Sequence, residues 1–344
     1  MSYRPHSTSS AIVLLADFVW VNYAKQVISS AHFAGGWNGD YVLLSVDVAE
    51  SDLRWFRDRG VYVFQCPDLS EVIRVPKDKI QTTLYRIWMF SESFNRWEYL
   101  IYLDLDVIVK GDLSYLLTHK KIMAARDSNR NSLDWQLKGE EFVLDSRVLN
   151  QYHDLKKSYD LEGDSFNAGI MSVHSSQIGK SVFDELCEMY REYVDIFSSR
   201  LQDQPLLNFY FYHEWVKMPA QFNVFVNFSK INYYKPAEKI DAIISHFAGT
   251  KLNHKPWHPE NPWYHLWKSN FDRIEEFDQC SLKWPAKTLP HQEIEKYSEE
   301  LEQGWERMRK DMKNFHSKLW LLKNPSRWGI VANEHIGKLF NREV

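Results

Sequence analysis

Tyr99-Leu100-Ile101-Tyr102-Leu103-Asp104-Leu105-Asp106-Val107-Ile108-Val109 is the stretch around which the chain is organised. Five apolar or aromatic residues run into a carboxylate, a leucine and a second carboxylate, and three more apolar residues follow. A strand covered on both faces needs no polar alternation, which accounts for the apolar run. It does not account for two aspartates in the middle, because a buried carboxylate is costly unless it is paired, hydrogen-bonded or metal-bound. Strand alternation sends Asp104 and Asp106 to one side, where the pair suits a hard divalent cation. The same residues also read as a turn between two short strands, with both aspartates capping loop amides. The stretch alone leaves the two readings level.

Upstream, Ala11 to Ala16 reads as a buried strand ending at Asp17, followed by a helix from Val21 to Phe33. A turn with two glycines leads to a second strand, Tyr41 to Val46. A short capped helix from Ser51 closes at Gly60, and Val61 to Phe64 is a third strand. Strands alternating with helices predict an α/β fold with a parallel sheet wrapped in helices. In such sheets ligands bind outside the carboxyl ends of the strands, where Asp17 and the aspartate pair both fall. Lys77 to Phe94 predicts one helix with Leu84, Ile87, Trp88 and Phe90 inward, and it carries Tyr85 and Arg86 just ahead of the acidic strand.

Downstream, Lys121 to Ala125 is a strand that runs out at Arg126-Asp127-Ser128, and residues 129–165 read as a long polar loop. Order returns at Phe166-Asn167-Ala168-Gly169-Ile170-Met171-Ser172-Val173, where a glycine in a strand marks close approach of a ligand or another backbone. Gly179 to Phe197 has the spacing of an amphipathic helix. Asp203-Gln204-Pro205 opens the next helix. Asp203 suits its N-cap, a role that competes with a catalytic one for Asp203 and Gln204. Ile243 to Phe247 is a short strand ending in His246, and Gly249 and Lys255 behind it suit a phosphate-contacting loop.

The 344 residues, 44% hydrophobic and 15% aromatic, supply a large core. A net charge of -4 gives no sign of a nucleic-acid partner. Cys66, Cys187 and Cys280 are odd in number and far apart. They make neither a disulfide framework nor a zinc spacing, which fits a reducing compartment. Met1 to Ser10 has no apolar core, and no apolar run is long enough to cross a bilayer. The expectation is a soluble, cytoplasmic protein, peripheral to a membrane at most. From Trp257 on, prolines punctuate the chain, His291 to Leu322 predicts one long charged helix, and beyond Trp305 nine basic residues stand against four acidic ones. An interfacial helix on anionic lipid, a helix docked on the domain and a homodimer contact all suit that segment. The expected division is a catalytic domain at 1–268 and a helical, basic and aromatic extension at 269–344.

From about Ala11 to Trp267 the ordered motifs resemble glycosyltransferase family 8, the glycogenin-like and lipooligosaccharide galactosyltransferase-like enzymes of GT-A fold. The motifs are Leu15-Ala16-Asp17, Tyr85-Arg86, Tyr102-Leu103-Asp104-Leu105-Asp106, Phe166-Asn167-Ala168-Gly169, Asp203-Gln204-Pro205-Leu206-Leu207-Asn208, Phe222-Asn223, and His246-Phe247-Ala248-Gly249 with Lys255-Pro256-Trp257. Each is weak alone, and their order is specific.

The resemblance implies a GT-A fold and a retaining hexosyltransferase that moves glucose or galactose from a UDP-sugar to a glycan, lipid-linked or other hydroxyl acceptor. It implies Mn²⁺, with Mg²⁺ as its substitute, on Asp104, Asp106 and His246, a donor set that suits an ion of intermediate hardness. Ala16, Asp17, Arg86, Leu105, Ala168, Gly249 and Lys255 would attend the nucleotide, with Asp104 and Asp106. Asp127, Asn167, Asp203 and Gln204 would surround the donor sugar, Gln204 beneath the anomeric carbon. The sequence departs from the family pattern in two places: five residues rather than two separate Gly249 from Lys255, and Phe18 and Val19 stand where asparagine and tyrosine are expected. Two other readings remain: a non-catalytic UDP-sugar-binding scaffold with this fold, and a phosphatase that uses Asp104-Leu105-Asp106-Val107 as a nucleophile motif. The phosphatase motif belongs on a first strand, whereas here three strands precede it.

Overall fold

The computed structural model describes residues 10–127, 132–137, 145–197, 203–226, 241–249, 251–278, 289–304 and 306–307. Its centre is strand β1 (Ser10–Asp17), parallel to β2 (Asp40–Val46) on one side and β4 (Tyr99–Leu103) on the other. β3 (Tyr62–Gln65) extends the parallel half. Beyond β4 the direction reverses, because β7 (Phe166–His174) runs antiparallel to both β4 and β6 (Ile122–Arg126), and β8 (Trp215–Lys217) closes that edge. The seven strands lie in the order β3-β2-β1-β4-β7-β6-β8.

The two faces of β1 explain the unbroken apolar run. Ala11, Val13 and Leu15 enter one hydrophobic core, and Ile12, Leu14 and Ala16 enter the other. The second core is covered by α1 (Val21–Phe33) and α2 (Glu50–Asp58), through Ala24, Val27, Ile28, Leu53 and Phe56. The first is covered by α3 (Leu69–Ile73), α4 (Ser146–Ser158), α5 (Lys180–Tyr193) and α6 (Asp203–Tyr210). Cys187 is buried there; among the described residues it and the half-buried Cys66 are free thiols.

Three local expectations need correction. The opening stretch is not one strand: the chain leaves the main sheet after Leu103, turns through 104–106, and enters a separate three-stranded sheet as β5 (Val107–Val109). There β5 pairs antiparallel with β10 (Ile244–His246), which pairs parallel with β9 (Val224–Phe225). The turn reading is right for the backbone, and it is the turn that frees both carboxylates from strand pairing.

The segment Lys77 to Phe94 is not an α-helix but three 3₁₀ segments, the longest Thr82–Phe90. Three residues per turn bring positions i and i+3 into one row. Leu84, Ile87 and Phe90, all buried, form such a row. The polar loop expected at 129–165 contains α4, capped by Asp145, whose Oδ1 accepts from Arg147 N at 2.7 Å. The cap and the inward Val148, Tyr152 and Leu155 were hidden among charges that cover the other face.

At the C-terminal side α7 (Tyr264–Arg273) packs Trp267 against Ile108, Val226 and Phe247, with Trp257, Trp263, Tyr264 and Phe271 around it. A helix over 291–304 follows, its Ile294 in the second core and its Leu301 against Ala220 and Val224. No described helix is long and apolar enough to cross a membrane. Residues 308–344, on which the membrane and dimer expectations fall, lie outside the described residues, as does Cys280.

Candidate metal and nucleotide site

Two backbone hydrogen bonds hold the 104–106 turn. Asp104 N donates to Gly169 O at 2.8 Å, one rung past the end of β4, and Phe247 N donates to Asp106 O at 2.8 Å from the end of β10. The turn is thereby stitched between the two sheets. His246, the last residue of β10, is brought to face both carboxylates, with Nε2 3.3 Å from Asp106 Oδ1 and 3.7 Å from Asp104 Oδ2.

The donor atoms of Asp104, Asp106 and His246 lie within 4.8 Å of one another. Two carboxylates and a buried imidazole converging at that spacing fit a divalent cation of intermediate hardness. Gly169 makes room for them. A Cβ at that position would lie 2.6 Å from both Asp104 Oδ2 and His246 Cε1, so what this glycine makes room for is side chains rather than the ligand or backbone expected of it.

Cations already surround the pair. Lys255 Nζ stands 2.5 Å from Asp106 Oδ2 and donates to Phe247 O at 3.1 Å. Burial opposes the charge on Asp106, but the Lys255 ammonium outweighs it and holds the carboxyl well below the usual range. Asp104 moves the other way: burial raises it, and the charge of Asp106 adds to that against Arg86.

Arg86 is 3% exposed and fully engaged. Its Nη2 meets Asp104 Oδ1 at 3.2 Å, its Nε meets Asp203 Oδ2 at 2.8 Å, and its Nη1 donates to Ala168 O. The guanidinium lies 4.3 Å over the ring of Tyr102, whose hydroxyl donates to Asp104 Oδ1 at 3.1 Å. Burial disfavours the guanidinium charge, and Asp203, Tyr102 and Asp104 more than compensate. Asp203 is therefore the first residue of α6 with its carboxylate committed to Arg86, rather than a helix cap.

The remaining polar residues form one connected group. Gln204 Nε2 donates to Asp127 Oδ2 at 2.8 Å and to Gln136 Oε1 at 3.0 Å. Its Oε1 accepts from Asn167 Nδ2 at 3.0 Å and from Ala168 N at 3.1 Å. Asn223 bridges Asn167 and His246, its Nδ2 2.9 Å from Asn167 Oδ1 and its Oδ1 2.8 Å from His246 Nδ1.

A cavity of about 430 Å³ opens beside the turn. It brings together Ala16, Asp17, Arg86, Asp104, Leu105, Asp106, Gly249 and Lys255. Gly249 has φ 112°, a conformation that suits glycine. Asp17 is partly spent on its own turn, where Oδ1 accepts from Val19 N at 2.9 Å and Trp20 N at 3.1 Å, while Oδ2 accepts from Thr82 Oγ1 at 3.2 Å. The sequence reading missed Trp20, Thr82 and Thr83 as cavity residues. The rings of Trp20 and Trp257 stand 5.5 Å apart on its wall. Thr83 lies one 3₁₀ turn before Arg86, whose Nε donates to Thr83 O at 3.2 Å. Gln136 and the bridging role of Asn223 were missed as well; the Phe222-Asn223 motif was the signal for the latter.

The fold, a mixed seven-stranded sheet covered by helices on both faces, is that of the GT-A glycosyltransferases. WbbM, a bifunctional glycosyltransferase, superposes with a TM-score of 0.57 at 18% identity over 80% of this chain and 53% of its own. The galactosyltransferase LgtC, in complex with donor and acceptor sugar analogues, superposes at 0.55 and 16% identity over 82% of this chain and 98% of its own. A lipopolysaccharide 1,2-glucosyltransferase of Escherichia coli is 22% identical over 226 residues, 63% of this chain and 59% of that relative. The chain thus spans little more than half the length of that enzyme and of WbbM. The family model "Glycosyl transferase family 8" matches residues 59–261, more than half of the chain. The chain belongs to glycosyl transferase family 8.

Proposed function

We propose that the protein transfers a hexose, glucose or galactose, from a UDP-sugar to a hydroxyl of a glycan or lipid-linked acceptor, with retention at the anomeric carbon. The observation that carries this reading is the gathering of Asp104, Asp106 and His246 beside a cavity within the size range of small-ligand sites.

In this reading Asp104, Asp106 and His246 hold Mn²⁺, with Mg²⁺ as a substitute. When bound, the ion acts as a Lewis acid that neutralises charge on the departing diphosphate. Lys255 moves its ammonium from Asp106 towards the phosphates, and the Gly249 backbone approaches them closely. Ala16, Asp17, Leu105 and Arg86 line the nucleotide's side of the cavity, and the Trp20 ring offers its face to the base.

Around the donor sugar stand Asp127, Asn167, Asp203 and Gln204. The Gln204 amide is engaged at both ends and the Asp203 carboxylate is tied to Arg86, so neither presents a free nucleophile. That favours front-side attack. The acceptor hydroxyl enters on the leaving-group side, its oxygen bonds the anomeric carbon as the bond to the diphosphate breaks, and a phosphate oxygen takes its proton. Mass spectrometry of the protein after incubation with a donor that is slow in the second step tests this: a glycosyl adduct on Asp203 or Asp127 rules out front-side attack. Residues 1–268 form the catalytic unit in this reading and 269–344 an extension of it, whose described residue Ile294 lies in the second core.

A further inference from the structure

We infer that the imidazole of His246 carries its proton on Nδ1, with the Nε2 lone pair facing Asp104 and Asp106, because a chain of side-chain amides anchored on backbone N–H groups orients it. Asn223 is the positioning residue of that chain. The inference rests on the metal-site reading only for its effect on affinity, since the tautomer is a property of the metal-free protein too.

The direction of each link follows from a group that can only donate. Gly169 N–H lies 3.1 Å from the Asn167 side chain, so the atom it meets is the amide oxygen. The Asn167 nitrogen then points the other way, to Gln204 Oε1 at 3.0 Å. That oxygen is assigned independently, because Ala168 N–H meets it at 3.1 Å. Two backbone donors thus agree on the orientation of two amides.

Asn223 approaches the same Asn167 oxygen at 2.9 Å and must present its nitrogen there. Its own oxygen is left for His246 Nδ1 at 2.8 Å. An imidazole nitrogen that meets an amide oxygen at that distance carries the hydrogen. In the neutral ring the lone pair is then on Nε2, 3.3 Å from Asp106 Oδ1 and 3.7 Å from Asp104 Oδ2. Three lone-pair atoms then converge on one point, the disposition of ligands about a divalent cation. His246 and Asn223 are 2% and 4% exposed, so water does not substitute for the bridging amide. Orienting partners of this kind commonly change metal affinity by roughly 10- to 100-fold.

The chain also has a boundary. Asn167 is oriented by Gly169 N–H whether or not its nitrogen has a partner, so the links towards Gln204 are not needed for the tautomer. An Asn167→Asp variant keeps an oxygen for Gly169 and Asn223, and an Asn223→Asp variant keeps an acceptor for Nδ1. Asn223→Leu keeps neither.

The test is ¹⁵N NMR of the histidine rings in metal-free protein at a pH where the ring is neutral, with His246 assigned by its loss in His246→Gln. Wild type, Asn223→Asp and Asn167→Asp are expected to show Nδ1 protonated, and Asn223→Leu to show the proton on Nε2, where the carboxylates accept it. Calorimetric titration with Mg²⁺ should then give affinity reduced by roughly 10- to 100-fold in Asn223→Leu and near wild type in Asn223→Asp. A wild-type ring protonated on Nε2, or an unchanged tautomer in folded Asn223→Leu, overturns the inference. No Mg²⁺ binding by wild type, with the tautomers as expected, overturns the metal reading and leaves the orientation standing.

Discussion

Arg86 Nε and Asp203 Oδ2 are 2.8 Å apart, with side chains 4% and 5% exposed. The same guanidinium reaches Asp104 Oδ1 at 3.2 Å, so one buried cation ties the first residue of α6 to the acidic turn between the sheets. Breaking a buried pair from one side leaves a charge with no compensation, and typical losses are roughly 3–5 kcal/mol.

Arg86→Met is therefore expected to lower unfolding stability by about 3–5 kcal/mol in a denaturant titration. Adding Asp203→Asn to that variant should recover part of the loss, because it removes one of the stranded carboxylates. Strictly additive losses in the two variants would show that the pair is not coupled.

Gly169→Ala tests how tightly the turn and histidine are packed. Its Cβ would fall 2.6 Å from Asp104 Oδ2 and His246 Cε1. Overpacking of this kind costs about 1–3 kcal/mol, and here the atoms that give way are the donors themselves. Stability should fall by that amount and divalent-cation affinity with it, both measurable on one preparation. Unchanged affinity would mean that the turn yields freely.

The parallel half of the sheet was legible because its strands are buried on both faces and leave an unbroken apolar signature, as in Ala11 to Ala16. The acidic turn, His246 and Lys255 were legible as well, since charged groups at the ends of apolar runs are conspicuous. Less visible were features that depend on the partner strand or on winding. Nothing within Tyr99 to Val109 says that β5 pairs with β10 rather than continuing β4. The 3₁₀ winding of Thr82–Phe90 uses residue types an α-helix accepts equally. Asn223 and Gln136 act through neighbours far along the chain, and local pattern carries no trace of that.

Lys255 occupies the position of a positive charge beside Asp106, so an incoming divalent cation competes with it. Lys255→Met is expected to bind Mn²⁺ more tightly than wild type without nucleotide. It should bind UDP about tenfold or more weakly, the size of one charge-assisted hydrogen bond. Calorimetry with each ligand alone separates the two effects. A parallel fall in both affinities would place Lys255 in the metal site's support rather than at the phosphates.

Tyr115 reports the docking of the helix over 291–304. Its hydroxyl donates to Glu295 Oε1 at 3.2 Å. Burial, with Glu295 adding to it, pushes the phenol from its ordinary 10 up to about 12. The folded state holds that proton more tightly than the unfolded chain does. The resulting stability is whole below pH 10 and is lost as pH rises towards about 12. Tyr115→Phe should be less stable by about 0.5–1.5 kcal/mol at neutral pH and lose less on going alkaline. Parallel stability curves for the two proteins from pH 9 to pH 12, the window about that shift, would contradict the contact.

The acidic turn and His246 are proposed as a metal site that serves a UDP-sugar. UDP release from a panel of UDP-sugars, with and without Mn²⁺, for wild type and Asp106→Ala tests it most directly. Mn²⁺-dependent release that one hexose donor dominates is expected from wild type, and none from the variant. Equal release by Asp106→Ala would remove the metal assignment, and no release from any donor, with no UDP binding by calorimetry, would mark the protein as a scaffold that keeps the fold without the reaction.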